Sequence, residues 1–474
     1  MDGFVKEAAL VKPSERQLAW QEMEFYGFIH YTVNTFTNRE WGLGDEDPTI
    51  FNPSELNAEQ WVNVCKSAGM TGLILTCKHH DGFCLWPSRF TEHSVKSSSW
   101  RGGNGDLVRE VADACRSAGI RFGIYLSPWD LHEQTYGDSD AYNLFFMNQL
   151  RELLTQYGDI FCVWFDGACG EGPNGKRQVY DWASYYKLIR ELQPGAVISV
   201  CGPDVRWCGN EAGHTRESEW SVVPAVLQDN EKIQEKSQKE DNGEFAKRYD
   251  SQDDDLGSRE VIRGADKLVW YPAEVNTSIR PGWFYHTEED DQVKSLDELL
   301  KVYVGSVGGN ASFLLNLPPD CRGLIHENDA ARMSELGQAI KSIFGDDLCI
   351  GAKAVASAQL DESHQANHMF DGNPETYWCP PEGTEQAEIE IDLQEHQAFD
   401  CIVLMEQIRN GQRIEGFRLE WKEENEWKPL FQGTVVGYKR ICRFGKVNVR
   451  HIKLTITASR WCPTLKSFQV YLSN

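Results

Sequence analysis

The sequence predicts a (β/α)8-type barrel over residues 1–345, followed by an all-β sandwich over residues 346–474. Three observations carry that expectation. In the first part, short apolar runs alternate with longer amphipathic stretches, the rhythm of strands buried on both faces beneath a helical coat. No glycine-rich fingerprint follows the first strand, which disfavours the doubly wound sheet that shares this rhythm. Beyond about Gly351 the helical period gives way to short alternating runs, the mark of half-buried strands. At 474 residues the chain is also too long for one ordinary core.

The elements follow in order. Residues 26–33 (YGFIHYTV) open the barrel as a strand. Residues 58–68 form a helix with Trp61, Val62 and Cys65 on its apolar face, closed by Gly69. Residues 72–78 (GLILTCK) are the next strand. Asp106 caps a helix that runs to Ala118 and ends at Gly119, before a strand at 121–126. Ser-Ala-Gly thus stands at 67–69 and again at 117–119, each time between helix and strand. Apolar runs at 159–165, 196–201, 268–271 and 311–317, with a weaker one at 218–221, bring the count to about eight strands. Residues 229–260 are polar and acidic and read as a solvated loop or insertion; a lid over the barrel mouth is the sharper alternative. The join falls near 344–350, and 387–393, 401–405, 417–421, 447–457 and 467–472 supply the strands of the second part.

Charge narrows the function. A formal net charge of −25 argues against a nucleic-acid partner, which needs a basic face, and against an anionic membrane surface. A neutral substrate fits best. The 16 Trp and 16 Tyr supply flat apolar faces on which sugar rings rest. The 14 Cys contain no C-x-x-C pair, so neither a zinc site nor a disulfide scaffold is expected. The N-terminus lacks the basic start and apolar run of a secretory signal. The expectation is a cytoplasmic protein, or a secreted or periplasmic one if the sequence has been trimmed.

In such a barrel, chemistry gathers at the C-terminal ends of the strands. Polar and aromatic residues crowd those positions: His30, Glu40 and Trp41; Lys78, His79, His80 and Asp81; Tyr125; Trp164 and Asp166; Trp207, Glu211, Glu217 and Glu219; Glu274. Paired carboxyls between aromatic walls suit glycoside hydrolysis, in which one carboxyl attacks or activates water and the other protonates the leaving oxygen. His79 and His80 are neighbours, so on a strand they are expected to face opposite ways, which argues against a metal in the catalytic site. A structural role or a bond to a sugar hydroxyl stays open for each. Asp166 alone could equally cap a following helix.

Taken together, GFIHY (27–31), EWG (40–42), KHHDGF (78–83), YLSPWD (125–130), WFDG (164–167), IRPGWFY (279–285) and LLN (314–316) resemble the α-L-fucosidases of glycoside hydrolase family 29. The resemblance spans about residues 15–345. It implies a retaining exo-α-L-fucosidase with Asp166 as nucleophile. The segment GPDVRW…GNEAG…RESEW resembles the subgroup that acts on α-1,3- and α-1,4-linked fucose, and implies Glu211 as acid/base, with Glu217 and Glu219 as alternatives. By the same resemblance His30, Glu40, His79, His80 and Tyr125 bond sugar hydroxyls, while Trp41, Trp164 and Trp283 line the apolar face and the C6 methyl. Arg280 is either a loop anchor or a ligand contact, and Glu274 contacts substrate or braces the loop. No cofactor is expected for catalysis.

NHMFDGNPETYW (367–378) resembles the discoidin-like sandwich related to family 32 carbohydrate-binding modules. For that domain the resemblance leaves three readings: a structural Ca2+ near Asp371, a sugar site, or a purely structural brace. The expected partner of the whole chain is a fucosylated oligosaccharide or glycoconjugate. A catalytically weak fucose-binding lectin-like protein and a broad-specificity fucosidase or transfucosidase are the alternatives.

Overall fold

Gly72–Lys78 is buried along its whole length. So are Phe25–Ile29, Cys162–Phe165, Val197–Val200 and Ala311–Asn316, as strands between a filled lumen and a helical coat must be. The computed structural model describes residues 3–172, 174–237 and 255–473. The barrel strands are β1 (Phe25–Ile29), β2 (Gly72–Lys78), β3 (Arg121–Leu126), β4 (Cys162–Phe165), β5 (Val197–Val200), β6 (Arg206–Trp207), β7 (Ala273–Ser278) and β8 (Ala311–Asn316). All pair in parallel, in the order β6-β7-β8-β1-β2-β3-β4-β5. A single parallel bridge from Ser199 to Val205 nearly closes the ring.

Around it lie α1 (Ala58–Ser67), α2 (Leu107–Ala118), α3 (Ser139–Gln156), α4 (Trp182–Leu192), α5 (Leu296–Ser306) and α6 (Glu327–Phe344). Their starts are written in the sequence. The side chains of Asn57, Asp106 and Asp181 accept from the backbone N–H groups of Gln60, Arg109 and Ser184, filling donors the helix itself leaves unpaired. The repeated Ser-Ala-Gly has a backbone cause. Gly69 (φ +85°) and Gly119 (φ +71°) adopt the left-handed conformation that ends a helix and turns the chain into the next strand.

Two strand expectations are corrected. The run at 268–271 is no barrel strand: Leu268–Trp270 pairs antiparallel with Val222–Pro224 in a ribbon outside the barrel. Its place is taken by β7, AEVNTS, whose buried polar residues hide a strand from any apolar-run reading. The strand expected at 218–221 is absent, and the two-residue β6 stands at 206–207 instead. No helix separates β5 from β6, which are joined by five residues. Of the acidic stretch 229–260, residues 238–254 lie outside the described residues; before them a short helix, Asn230–Lys236, places Ser237 at the cleft discussed below, and after them the chain enters a second short helix, Arg259–Ile262.

At the end of β2, Lys78 is wholly buried, its Nζ 2.7 Å from Asp130 and 3.0 Å from Gln149. A charge taken this far from water is tolerated only when paired. The pair ties the end of β2 to the loop after β3, fixing the segment that carries His79 and His80.

The all-β expectation for the second part is met by β9 (Lys353–Ala356), β10 (Ala387–Glu406), β11 (Ile414–Glu423), β12 (Glu426–Gly433), β13 (Arg440–Ser459) and β14 (Leu465–Tyr471). They run antiparallel in the order β9-β10-β13-β11-β12, with β14 on β10. Register shifts at 392/397 and 399/401 break the 20-residue β10 in two, so its first half pairs β9 while its second half pairs β14. Ile389, Ile391, Phe399, Ile402, Phe417, Ile452, Leu454 and Phe468 fill the core, with Trp378 buried among them. Cys401, Val403 and Tyr471 belong instead to the apolar cluster of the barrel, so the two parts share a continuous packed face. Ile441 N–H donates to the Gly308 carbonyl, and Asn310 N–H to that of Lys439, across the same face.

Candidate active site

The C-terminal ends of the barrel strands converge on one cleft of about 630 Å³. β1 brings Phe28 and, one residue past its end, His30; β3 brings Tyr125; β4 brings Trp164 and, just beyond it, Asp166. Trp41, Trp207, Glu211 and Trp283 enter from the rim. His79 and His80 both face the cleft, with ring centroids 4.2 Å apart. This corrects the expectation of opposite faces. β2 ends at Lys78, so the two histidines lie on a turn, where strand alternation no longer applies.

Asp166 sits at the centre. Its Oδ2 accepts from the Tyr125 hydroxyl at 2.8 Å and its Oδ1 from Ala168 N–H at 2.9 Å, leaving a side chain that is 22% exposed. The bond to Ala168 is local, as in a helix cap, but the side chain opens into the cleft and no described helix begins there. Tyr125 stacks on Trp164 (5.3 Å) and on His79 (5.6 Å), so the ring that orients the carboxylate is clamped on both faces. Beneath it, buried Glu274 accepts from Trp164 Nε1 at 2.7 Å and from the Tyr26 hydroxyl. Burial, only partly offset by these bonds, pushes the Glu274 carboxyl up to about 7. Glu274 is therefore a brace for Trp164 and lies outside the cleft lining.

The imidazoles are neutral, and their neighbours fix which nitrogen carries the proton. Ser127 donates its hydroxyl to the Trp129 carbonyl at 2.6 Å, so it accepts from His80 Nδ1 at 2.7 Å. His80 Nε2 then carries a lone pair, 3.7 Å from Asp166 Oδ2. Likewise the Asn316 amide donates to Ser278 and to the Trp283 carbonyl, so its Oδ1 accepts from His30 Nδ1 at 2.8 Å. Burial lowers His30 to about 3 and lowers His79 and His80 too, the nearby imidazoles adding to the effect at His30 and His79. His79 Nδ1 is buried with no hydrogen-bond partner among the described residues. Donor atoms of His79, His80 and Asp166 lie within 4.8 Å of one another, close enough to share one small ligand.

Neutral burial has a pH consequence. Above pH ~6.5 folded and unfolded His30 are both uncharged and the group contributes nothing. Below that value the unfolded chain binds a proton the native state refuses until about pH 3, so stability falls with pH across that window. Asp81, Glu274 and Glu406, all raised to about 7, act with the opposite sign. The test is therefore a comparison of wild type with His30→Gln. Their melting-temperature difference should move in favour of the variant between pH 7 and pH 4; a difference that does not change with pH contradicts neutral burial.

The three candidate acids separate cleanly. Glu211 lines the cleft and accepts from Trp283 Nε1 at 3.2 Å. Its loop is shaped by Asn210, whose Oδ1 accepts from the N–H groups of Ala212 and His214 and whose amide donates to the His214 carbonyl. Glu217 is exposed, away from the cleft lining. Glu219 is fully buried beside Arg206 (2.5 Å) and Arg216 (3.4 Å). Burial would raise its carboxyl, but the two guanidinium groups outweigh that and hold it below its ordinary value. It is a structural anion.

Glu40 is the one expected sugar-facing residue that does not line the cleft. Its carboxylate accepts from the N–H groups of Trp283 (2.8 Å) and Phe284 (3.0 Å) and pairs with His286 (2.7 Å), holding the loop that carries Trp283. Arg280 is a loop anchor, fully buried against Asp329 and Asp290. Asn276 and Val200 line the cleft without having stood out in the sequence. Val200 has φ +62°, an outlier for a β-branched residue, and such strain is held where the surroundings over-determine it. Only the WFDG and GPD phrases on either side of its strand hint at the spot.

The chain is similar to known proteins along nearly its whole length. A profile of the family described as Alpha-L-fucosidase matches residues 11–343, and one described as F5/8 type C domain matches residues 353–467. The chain is 41% identical over 467 residues to Alpha-L-fucosidase 1 of Arabidopsis thaliana, covering 97% of this chain and 87% of that protein. Among solved structures, a Ruminococcus gnavus glycoside hydrolase family 29 fucosidase in complex with fucose is 33% identical, with a TM-score of 0.85 over 98% of this chain and 95% of that one. A family 29 member from an unknown rumen bacterium is 39% identical, with a TM-score of 0.78 over 98% of this chain and 78% of that one.

Proposed function

The chain belongs to the α-L-fucosidase family of glycoside hydrolases, and from that premise we propose that it is a retaining exo-enzyme releasing terminal α-1,3- or α-1,4-linked fucose. One observation carries the reading: Asp166, oriented by Tyr125 and Ala168 N–H, opens into a cleft that also holds Glu211 and is walled by Trp41, Trp164, Trp207 and Trp283. In this account Asp166 attacks the anomeric carbon while Glu211 gives its proton to the leaving oxygen. A fucosyl ester on Asp166 forms, and Glu211 then takes a proton from the water that hydrolyses it. As the general acid, Glu211 must hold a proton before the first step and take one back in the second.

The sugar is recognised by what the cleft lacks as much as by what it holds. The lone pair of His80 Nε2 calls for a hydroxyl donor, and since the Asp166 carboxylate 3.7 Å away is an acceptor too, that hydroxyl donates to His80 alone. His30 and Tyr125 complete the polar side. The indoles supply the apolar face that a 6-deoxy sugar, with its methyl edge, requires. Glu40 acts through Trp283.

The structural Ca2+ that the second domain's relatives imply does not fit this copy. Calcium takes about 6–8 oxygen ligands, usually with more than one carboxylate. Here Asp371 already accepts from Thr376 Oγ1 (2.8 Å), Asn373 N–H (2.8 Å) and His368 (3.1 Å), closing the turn on itself. Adding a chelator should therefore leave the melting temperature unchanged; a clear drop reversed by Ca2+ would contradict this.

Linkage is tested by comparing fucose release from α-1,3/1,4-fucosylated and α-1,2-fucosylated oligosaccharides. The expected result is a preference of about 10²-fold or more for the former, the discrimination a polar or steric mismatch supplies. Equal rates would leave a broad-specificity enzyme. Binding without turnover of either would leave a lectin.

A further inference from the structure

The loop that carries Glu211 is held from the far side by the second domain. After β6 the chain runs through Asn210 and Glu211 and returns along residues 215–221. Three backbone groups on that return are bonded by side chains about two hundred residues away. The Glu217 carbonyl accepts from Thr434 Oγ1 (3.1 Å) and from Arg440 Nη1 (3.0 Å). Ser221 N–H donates to Gln412 Oε1 (2.7 Å), whose amide donates in turn to the Glu219 carbonyl (3.4 Å). Asn310, at the head of β8, bridges the two parts: its amide donates to the Glu219 carbonyl (2.8 Å) and its Oδ1 accepts from Tyr438 N–H (2.7 Å). On the barrel side the loop is tied by Thr215 to the Gly305 carbonyl and by Arg216 to the Cys208 carbonyl. The segment that places Glu211 is thus pinned between two domains, at the exposed Glu217 carbonyl and at the buried Glu219 carbonyl and Ser221 N–H, and buried backbone groups that lose such partners pull the chain toward other arrangements.

We propose that Gln412, Thr434 and Arg440 are positioning residues for the reaction, and that the second domain acts by fixing where the Glu211 carboxyl stands over the leaving oxygen. This rests on the reading of Glu211 as acid/base. General-acid catalysis is worth about 10²–10⁴-fold and depends on hydrogen-bond reach, so a small displacement of the loop removes part of it. The loss has a signature. A poor leaving group needs the proton and a good one does not, so misplacing the acid slows sugar and alkyl leaving groups and spares dinitrophenolate, whereas general damage to the site slows both alike.

The test is a series of fucosides of rising leaving-group pKa, assayed with wild type, Thr434→Val/Arg440→Met, Gln412→Ala and Glu211→Ala, with melting temperatures taken in parallel. The double variant removes only polar contacts at half-buried positions and is chosen to keep the fold. The expected result is a steeper dependence on leaving-group pKa in the double variant, about ten-fold slower on the poorest leaving group and nearly unchanged on the best. Gln412→Ala should show the same slope, Glu211→Ala the same trend more strongly, and Thr434→Ser/Arg440→Lys a partial return. If Glu211→Ala is steep while Thr434→Val/Arg440→Met is flat, or loses rate equally on all substrates, the domain does not position the acid and the proposal falls. If Glu211→Ala is itself flat, the acid assignment fails, and this inference fails with it.

Discussion

Replacing Asp166 with Ala is expected to lower fucose release by about 10⁴-fold or more, the scale on which nucleophile deletions act. Among the described residues, the other carboxyl in the cleft, Glu211, has the acid/base role in this account; Glu219 is locked between two arginines, Glu274 lies beneath Trp164, and Glu40 is engaged by two backbone N–H groups and His286. The side chain is half-buried and makes one bond to Tyr125 and one to Ala168 N–H, so its loss should leave the fold intact. The space it vacates is open to a small anion. Azide should therefore restore turnover of an activated fucoside and, entering from the face Asp166 occupied, give the β-fucosyl azide. Near-wild-type release by Asp166→Ala would end the assignment.

Glu211→Ala should behave differently in kind. With a sugar leaving group the loss should reach about 10²–10⁴-fold, the usual worth of a general acid, while an activated aryl fucoside forms its intermediate nearly as fast as before. Breakdown of that intermediate then lacks its base, so azide should accelerate turnover and give the α-fucosyl azide. Opposite anomers from the two variants would distinguish nucleophile from acid/base without any structure of a complex. Should Glu211→Ala stay active on every leaving group, Glu217 is next in line. It sits on the same loop, whereas the buried pairing of Glu219 leaves it no proton to give near neutral pH.

Much of this architecture was legible because each element obeys a local rule. The strands Gly72–Lys78, Arg121–Leu126, Cys162–Phe165 and Ala311–Asn316 lie within apolar runs, and helices such as Ala58–Ser67 and Leu107–Ala118 carry side-chain caps and end at left-handed glycines. β7 was not legible. Its lumen-facing Glu274 and Asn276 are polar for reasons of the site, and the more apolar Leu268–Trp270 nearby reads as the better strand. The cleft was legible through motif order rather than through any single residue. His79 and His80 show why: alternation assigns them opposite faces, and only the end of β2 at Lys78, pinned by Asp130, puts both on the same side. Glu40 and Arg280 show the converse, since a charged residue inside a conspicuous phrase can serve the loop that carries Trp283. Contacts such as Arg440 with the Glu217 carbonyl have no sequence signal at all, because they join a side chain to a backbone group across domains.

The measurement that tests the central claim most directly is covalent labelling with a 2-deoxy-2-fluoro-fucosyl fluoride, which forms the glycosyl-enzyme quickly and releases it slowly. Mass spectrometry of the digested protein should find one fluorofucosyl group, on the peptide containing WFDG and on Asp166 itself, with label lost on turnover and absent from Asp166→Ala. Inactivation without a label on Asp166, or hydrolysis of the probe with no covalent species and a β-configured first product, would contradict a retaining mechanism through this carboxylate.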